Sequence, residues 1–333
     1  MSDSFATMAK RGNWLVGKSR SMQGLEFKLQ AQHCVWANAF QTGEFDASIR
    51  SARDGLALYE AGRFDETPTF YGGHDCKVCA LGEIALASWL KGAGDAATQP
   101  IDAAVAHAED LEHLGSLLHA LDIAVTLHHY RRDAGTALAV AERLIALAKA
   151  NDLDEYRAKG EIFLGWVQIE TGQTREGLAR VDAGFAIMQQ IGTPEDFPVY
   201  QCIRAAALGQ LGDPDAAAAA LRSGQAVIDA EGVNYWGAEI ARLEAMIEMM
   251  RPGGDPATVA AHLDDARALA GRQGALALEL RACLTAHDWV RGQGGAVGEA
   301  VAALRAVRDR FAPEATGREL AAADAALAPG TPT

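Results

Sequence analysis

The chain has 333 residues and a formal charge of −14; 49% of it is hydrophobic, only 7% is aromatic, and five residues are cysteine. The acidic balance argues against nucleic-acid binding, which draws on clustered Lys and Arg, and five irregularly spaced cysteines do not make a disulfide framework. No window approaches the ~18 uninterrupted apolar residues of a membrane span, and Met1 to Arg20 lacks a signal-peptide apolar core, so the expectation is a cytoplasmic protein with neither nucleic-acid nor membrane partner.

Residues 1–22 read as an N-terminal extension or a partial repeat. Inside them, Gly12-Asn13-Trp14-Leu15-Val16-Gly17-Lys18-Ser19 fits the phosphate-loop pattern letter for letter. That chemistry needs a strand before the loop and a helix after it, so that backbone N–H groups surround the phosphates. Ser4 to Arg11 supplies no strand, no parallel sheet follows, and an N-terminal helix is the better reading; no cofactor is expected.

Beyond that segment the chain keeps time. Gly172, Gly212, Gly253 and Gly292 are 40, 41 and 39 residues apart, and Gly192, Gly232 and Gly274 fall halfway between them. Each half-period holds one helix and a short turn. Glycine suits the left-handed position that ends a helix, and Asp213-Pro214 and Asp255-Pro256 suit a restart, Asp capping and Pro opening the first turn. The expected hairpins are 23–41 with 44–61, 75–92 with 97–113, 115–131 with 134–150, 153–171 with 174–191, 195–211 with 213–231, 233–251 with 255–271, and 274–291 with 295–311. A capping helix, Ala315 to Leu327, closes a single domain over 23–327, and 328–333 is a disordered tail. In 134–150, Ala137, Ala141, Leu144 and Ala148 share one stripe, flanked by Leu138 and Ile145, as the buried face of an amphipathic helix requires. A lone hairpin cannot bury both faces and a stack can. The predicted fold is therefore all-α: a right-handed superhelix of about seven helical hairpins with a period near 40 residues.

Several stretches carry a resemblance: Gly43-Glu44-Phe45-Asp46-Ala47, Gly55-Leu56-Ala57-Leu58-Tyr59, Phe70-Tyr71-Gly72-Gly73-His74-Asp75, Val78-Cys79-Ala80-Leu81-Gly82, Gly165-Trp166 before Thr171-Gly172, and Tyr235-Trp236 before Glu239 and Arg242. Over roughly residues 23–250 the chain resembles the tetratricopeptide-like C-terminal region of bacterial signalling proteins that carry a class III nucleotide cyclase domain and a STAND-type ATPase domain. The resemblance implies a sensor or scaffold superhelix. Neither output domain is present in this sequence, and Cys76-Lys77 stands where such sequences tend to have Pro-Gly.

Phe70 to Ala80 is also the one place where aromatic, glycine, histidine, carboxylate and thiol groups crowd together, and it lengthens the joint between the first two repeats. Asp75 suits the N-cap of the next helix, which makes His74-Asp75 the leading site candidate. Cys76-x-x-Cys79 after His74 offers metal ligands (His74, Cys76, Cys79), with His33 and Cys34 one repeat earlier. A structural zinc site needs four ligands, however, and there is no second such pair; packing of Cys79 in a helix core is preferred and no metal is expected. His128-His129, late in a helix, suits the negative end of its dipole. His107, His113, His262 and His287 read as surface or packing residues, and Glu109, Asp110 and Glu112 as a solvated face.

The first helix of each hairpin should line the concave side. That gives candidate ligand-binding residues His33, Trp36, Tyr71, His74, Asp75, His119, Asp122, Trp166, Tyr200, Arg204, Tyr235, Trp236, Glu239 and Arg242. The favoured function is a non-enzymatic regulatory or scaffolding module holding a peptide, protein partner or small ligand in its groove. The alternative is an enzyme with a small-molecule pocket in which His74 and Asp75 act as acid/base or metal-binding groups. A third reading is a structural element with a self-association surface.

Overall fold

The computed structural model describes residues 5–65, 70–71 and 73–328. Its helices follow the expected period. After α1 (Phe5–Ser19) come the hairpins α2 (Leu25–Gln41) with α3 (Phe45–Gly62), α4 (Cys76–Ser88) with α5 (Thr98–Asp110), α6 (Leu114–Tyr130) with α7 (Ala134–Ala150), and α8 (Asp154–Glu170) with α9 (Thr174–Ile191). Then follow α10 (Phe197–Gln210) with α11 (Pro214–Glu231), α12 (Gly237–Met250) with α13 (Pro256–Gln273), α14 (Leu276–Gly292) with α15 (Gly298–Arg308), and the cap α16 (Arg318–Leu327). The tail expected over 328–333 lies outside the described residues apart from Ala328. Gly12 to Ser19 lies inside α1, so its backbone N–H groups belong to a helix and not to an anion-binding loop.

Local chemistry explains the boundaries. Gly192, Gly232 and Gly274 stop α9, α11 and α13 in the left-handed conformation, with φ of 82°, 80° and 66°, where a Cβ is costly. Asp213 caps α11 by accepting from Ala216 N–H, and Asp255 caps α13 by accepting from Ala257 and Thr258 N–H. The α7 stripe is buried as read, Ala137, Ala141, Leu144 and Ala148 being fully inside, while Leu138 beside it is exposed. At the α8–α9 contact, Gly165 and Gly177 face each other: a Cβ on Gly165 would lie 2.7 Å from the Gly177 carbonyl oxygen. This close approach needs the small residues that the composition provides.

Two places differ from expectation. The helix expected to run to residue 92 ends at Ser88 and passes through a π-helical turn (Trp89–Ala93) and a 3-10 turn (Gly94–Ala97), with Gly92 at φ 100°. The cause is tertiary. A Cβ at Gly92 would meet Leu276 and Phe311, and Asp95 N–H donates to the Thr316 carbonyl at 2.9 Å, so the turn seats the C-terminal end of the array. In the first joint, β1 (Phe70–Tyr71) and β2 (His74–Asp75) form a small antiparallel pair in register Phe70 with Asp75 and Tyr71 with His74.

The winding brings distant repeats together. The N–H groups of Asn234 and Tyr235 both donate to the Gln41 carbonyl, at 2.8 and 3.2 Å, and the Phe40 and Tyr235 rings lie 4.9 Å apart. Arg281 of α14 reaches the Tyr130 carbonyl at the end of α6. The first helices of the hairpins are therefore covered on both sides, and much of what would be an open groove is core.

Candidate ligand-binding site

Among the described residues, two cavities gather the candidate residues. The larger, about 320 Å³, lies among α4, α6, α8 and the turn before α10. Its centre is Lys159 of α8, whose Nζ is 2.8 Å from Asp122 Oδ2, 3.5 Å from Asp196 Oδ2 and 3.8 Å from Glu155 Oε1. Glu83 and Glu195 complete the acidic lining. Five carboxylates thus line a cavity with one ammonium, which pairs with three of them, and the electrostatics are lopsided. Burial works against the Lys159 charge, but Asp122 and Asp196 outweigh it and hold its pKa above the ordinary lysine range. Asp122, pushed up by burial and by Asp196 and Glu155 against the pull of Lys159, sits at about 6. Glu83 has no compensating cation, and burial with the charge of Asp196 raises it to about 8. Several lining residues also carry enclosed polar atoms with no hydrogen-bond partner among the described residues: Gln41 Oε1, Glu83 Oε2, Asp122 Oδ1, Thr193 Oγ1 and His119 Nε2. Such atoms are uncommon in folded proteins, and each calls for an explanation.

The smaller cavity, about 130 Å³, is lined by Trp166, Trp236, His129, Glu239, Arg242 and apolar residues of α10 and α12. Here the charges are matched. Arg242 grips Glu239 with two bonds, Nη2 to Oε1 at 2.6 Å and Nε to Oε2 at 2.9 Å, and gives Nη1 to Thr285 Oγ1 at 3.1 Å. Burial pushes the Glu239 carboxyl up, but Arg242 overrides it and holds it at about 2. His129 stands edge-on to Trp166, with ring centres 4.7 Å apart, and burial with Arg281 and Arg132 keeps it neutral, at about 3. The stacked rings of Tyr130, from the polar cavity, and Trp236, from the aromatic one, lie 4.3 Å apart between the two.

The sequence-predicted residues divide among these surroundings. His74 and His119 meet at the polar cavity with rings stacked 3.8 Å apart, next to Asp122. Trp166, Trp236, Glu239 and Arg242 meet at the aromatic one. Tyr200 and Tyr235 are buried near the polar cavity and direct their hydroxyls to Asp196, at 3.5 and 3.1 Å. Trp36 is fully buried against α3, where the absent side chain of Gly55 makes room for its ring. His33 stacks on Trp36 at 4.9 Å. Arg204 turns away, binding Asp182 and Gln201 above the Phe185 ring. The side chain of Tyr71 lies outside the described residues.

The expected His74–Asp75 pair needs correction. The two residues are neighbours on β2, and successive strand residues project to opposite faces. Asp75 is wholly buried on the opposite face from His74. Its Oδ1 accepts from Lys77 and Val78 N–H, capping α4; its Oδ2 accepts from Tyr59 Oη–H at 2.9 Å; and His107 Nε2 lies 3.4 Å from Oδ1. Its acceptor capacity is spent on holding the joint, which leaves nothing to work with His74. Of the metal candidates, Cys76 and Cys79 are both buried, and Cys34 faces solvent elsewhere.

Lys159, Asp196, Glu83 and Gln41 escaped the sequence reading. Lys159 was within reach: it stands 159 − 119 = 40 residues after His119, one repeat on and at the same place in its helix. Asp196 lies at a turn and Gln41 at the end of α2, and only the winding of the array brings them in.

No family model matches the chain. A curated relative, the uncharacterised protein R02095 of Rhizobium meliloti (strain 1021), is 33% identical over 257 residues, or 77% of this chain; the chain spans about a quarter of that relative's length (25%). Three solved structures are similar in fold. NprR in complex with its cognate peptide NprX superposes with a TM-score of 0.66 at 13% identity, over 92% of this chain and 82% of that one. A Rap protein complexed with competence and sporulation factor gives 0.63 at 12%, over 93% and 88%. The apo form of RapI gives 0.54 at 10%, over 85% and 98%. At these identities the likeness concerns architecture alone: the chain is a tetratricopeptide-like helical superhelix of the kind found in Rap and NprR.

Proposed function

We propose that the chain is a ligand-binding regulatory module that takes a peptide, or a small ligand of similar chemistry, into the space inside its superhelix, and that the polar cavity around Lys159 receives a cationic group. The observation that carries this reading is the set of enclosed polar atoms without a partner among the described residues, Gln41 Oε1, Glu83 Oε2 and Asp122 Oδ1, beside five carboxylates and a single ammonium. Buried polar atoms are costly until paired; Gln41 Oε1 and the ionised Asp122 only accept, and such groups are satisfied by groups that only donate. An arginine guanidinium, a lysine ammonium or a peptide N-terminus is such a donor. His74, His119 and Asp122 contact this ligand first, and Trp166, Trp236 and Glu239 border its continuation past the Tyr130–Trp236 stack. The peptide complex of NprR, a neighbour in fold, supports a peptide as the occupant.

The setting fits a cytoplasmic regulator. All five cysteines are free thiols, and among the described residues no helix is long and apolar enough to cross a membrane. A role beside cyclase and ATPase output domains is part of the same proposal and rests on the sequence resemblance; the curated relative, in which the matching region is a quarter of a longer protein, supports only a place beside further sequence. The direct test is calorimetric titration with short peptides differing only in charge, Arg-containing against Glu-containing. The reading expects binding of the basic series alone and a loss of about tenfold or more in Asp122→Asn and Glu83→Gln, the value of a charge-assisted hydrogen bond. Equal affinity for both series would sink it.

A further inference from the structure

At the edge of the polar cavity lies a cluster of which the ligand reading uses only His74. His33 of α2, His74 of β2 and Cys79 of α4 each offer one ligand atom, and these atoms all lie within 4.8 Å of one another. We infer that His33, His74 and Cys79 form a transition-metal site of the zinc class, with a fourth position left to an exchangeable partner.

The spacing of one ligand pair is close to what a bound ion demands. Zinc bonds of about 2.0 Å to nitrogen and 2.3 Å to sulfur, at a tetrahedral angle, place the two ligand atoms about 3.5 Å apart. His33 Nε2 stands 3.3 Å from Cys79 Sγ. The His33 and His74 rings meet edge to face, 5.4 Å between centres and 69° between planes, so they do not stack on each other. His119, stacked on the other side of His74, fixes that ring's plane.

The surroundings are those of a coordinated thiolate. Trp36 Nε1–H donates to Cys79 Sγ at 3.4 Å, and Gln30 Nε2–H donates to Cys76 Sγ at 3.1 Å. A neutral thiol is a weak acceptor, whereas a thiolate rewards such donors. Both cysteines lie in the first turn and a half of α4, where the helix dipole favours negative sulfur. Cys76 Sγ also lies 3.7 Å from His33 Nδ1, on the side of the ring away from Cys79. With Nε2 on the ion, Nδ1 carries the proton and Cys76 Sγ accepts it, in the place that a carboxylate, carbonyl or water more often takes beside a ligating histidine. Burial raises the Cys79 thiol, and a divalent ion deprotonates a coordinating thiol outright. Binding therefore releases one proton from Cys79 to solvent per ion bound. Three protein ligands are the pattern of zinc sites that keep an open position, and His74 lies on the wall of the polar cavity.

The test is titration of the chelator-treated full chain with Co²⁺ alone, followed by Zn²⁺. The expected result is one equivalent of Co²⁺ with thiolate-to-cobalt charge-transfer absorption, release of one proton, and full displacement by one equivalent of Zn²⁺. Cys79→Ser abolishes the absorption and His33→Ala weakens binding at least tenfold, while Cys76→Ser keeps the absorption with affinity lowered by roughly 10- to 100-fold, as for an outer partner. His74→Ala, at the cavity edge, serves as a second ligand variant, and circular dichroism confirms that each variant is folded. Absence of the absorption in the folded wild-type chain, its survival in Cys79→Ser, or its loss in folded Cys76→Ser overturns the assignment. No peptide enters the experiment, so its failure leaves the ligand reading standing, and the reverse holds as well.

Discussion

The two cavities hold buried charge in opposite ways. In the aromatic cavity every charge is answered from within: Glu239 and Arg242 are one helical turn apart on α12 and meet in two short bonds, so Glu239 stays ionised far below the usual carboxylate range. In the polar cavity the acids come from several repeats, one ammonium pairs with three of the five, and Glu83 and Asp122 are pushed up toward their protonated forms. A matched pair is a structural element that no ligand needs to complete. An unmatched set holds free energy that a ligand bringing donors would recover. The contrast teaches that lining a cavity does not make a charged residue part of a binding site; what counts is whether its partners are already inside the chain.

That contrast can be broken by substitution. The largest effect belongs to Arg242→Met, which leaves Glu239 buried without its cation; we expect a loss of about 3–5 kcal/mol in denaturant unfolding, and a loss under about 1 kcal/mol would mean that the pair is not the closed unit described here. Lys159→Met removes the sole cation of the polar cavity but should cost less, about 1–3 kcal/mol, because Asp122, already near 6, takes up a proton in its place. A cost equal to that of Arg242→Met erases the distinction between the cavities.

The pH dependence sharpens it further. Folded Glu83 keeps its proton up to about 8, whereas the unfolded chain releases it near the ordinary 4.5. Its contribution to stability is therefore complete below about 4.5 and disappears as the pH rises through about 8. Glu239 behaves oppositely: its contribution is present above about 4.5 and is lost as the pH falls through about 2. Thermal melts of Glu83→Gln against wild type should diverge by a few degrees on the alkaline side of this window and converge on the acid side; parallel curves would count against an unmatched Glu83. The smallest effect is expected for Arg204→Ala, whose partner Asp182 is half exposed. Loss of an exposed pair costs about 0–1 kcal/mol, and peptide binding should be unchanged.

The architecture was legible because it is written locally and repeatedly. Glycines such as Gly192 and Gly232, which must adopt left-handed backbone, and Asp–Pro restarts mark the helix ends without reference to the rest of the molecule. The π-helical turn at Trp89–Ala93 was not legible, since its cause is Phe311 and Leu276 more than 180 residues away. The site was legible in part. His74, His119 and Asp122 stood out as polar residues on first helices, and Trp166, Trp236 and Glu239 as aromatic and charged ones, but nothing local divides them into two cavities. Asp75 was read correctly as a cap and misread as a partner of His74, because strand alternation appears only once β2 exists. Trp36 and Tyr235 were placed on a groove surface that the tight winding fills.

The hydrogen bonds from Asn234 and Tyr235 to the Gln41 carbonyl bear on how the molecule comes apart. A linear stack of repeats can unzip from either end, each unit depending only on its neighbours. Here the first hairpin is fastened to the sixth, and the turn at Gly92 to the last, so neither terminus is an end in the mechanical sense. Folding must close contacts almost 200 residues apart before the array is complete, which slows it and binds the repeats into one cooperative transition. Removing the last hairpin should loosen the second one as much as the sixth, a long-range sensitivity that an open solenoid would not have.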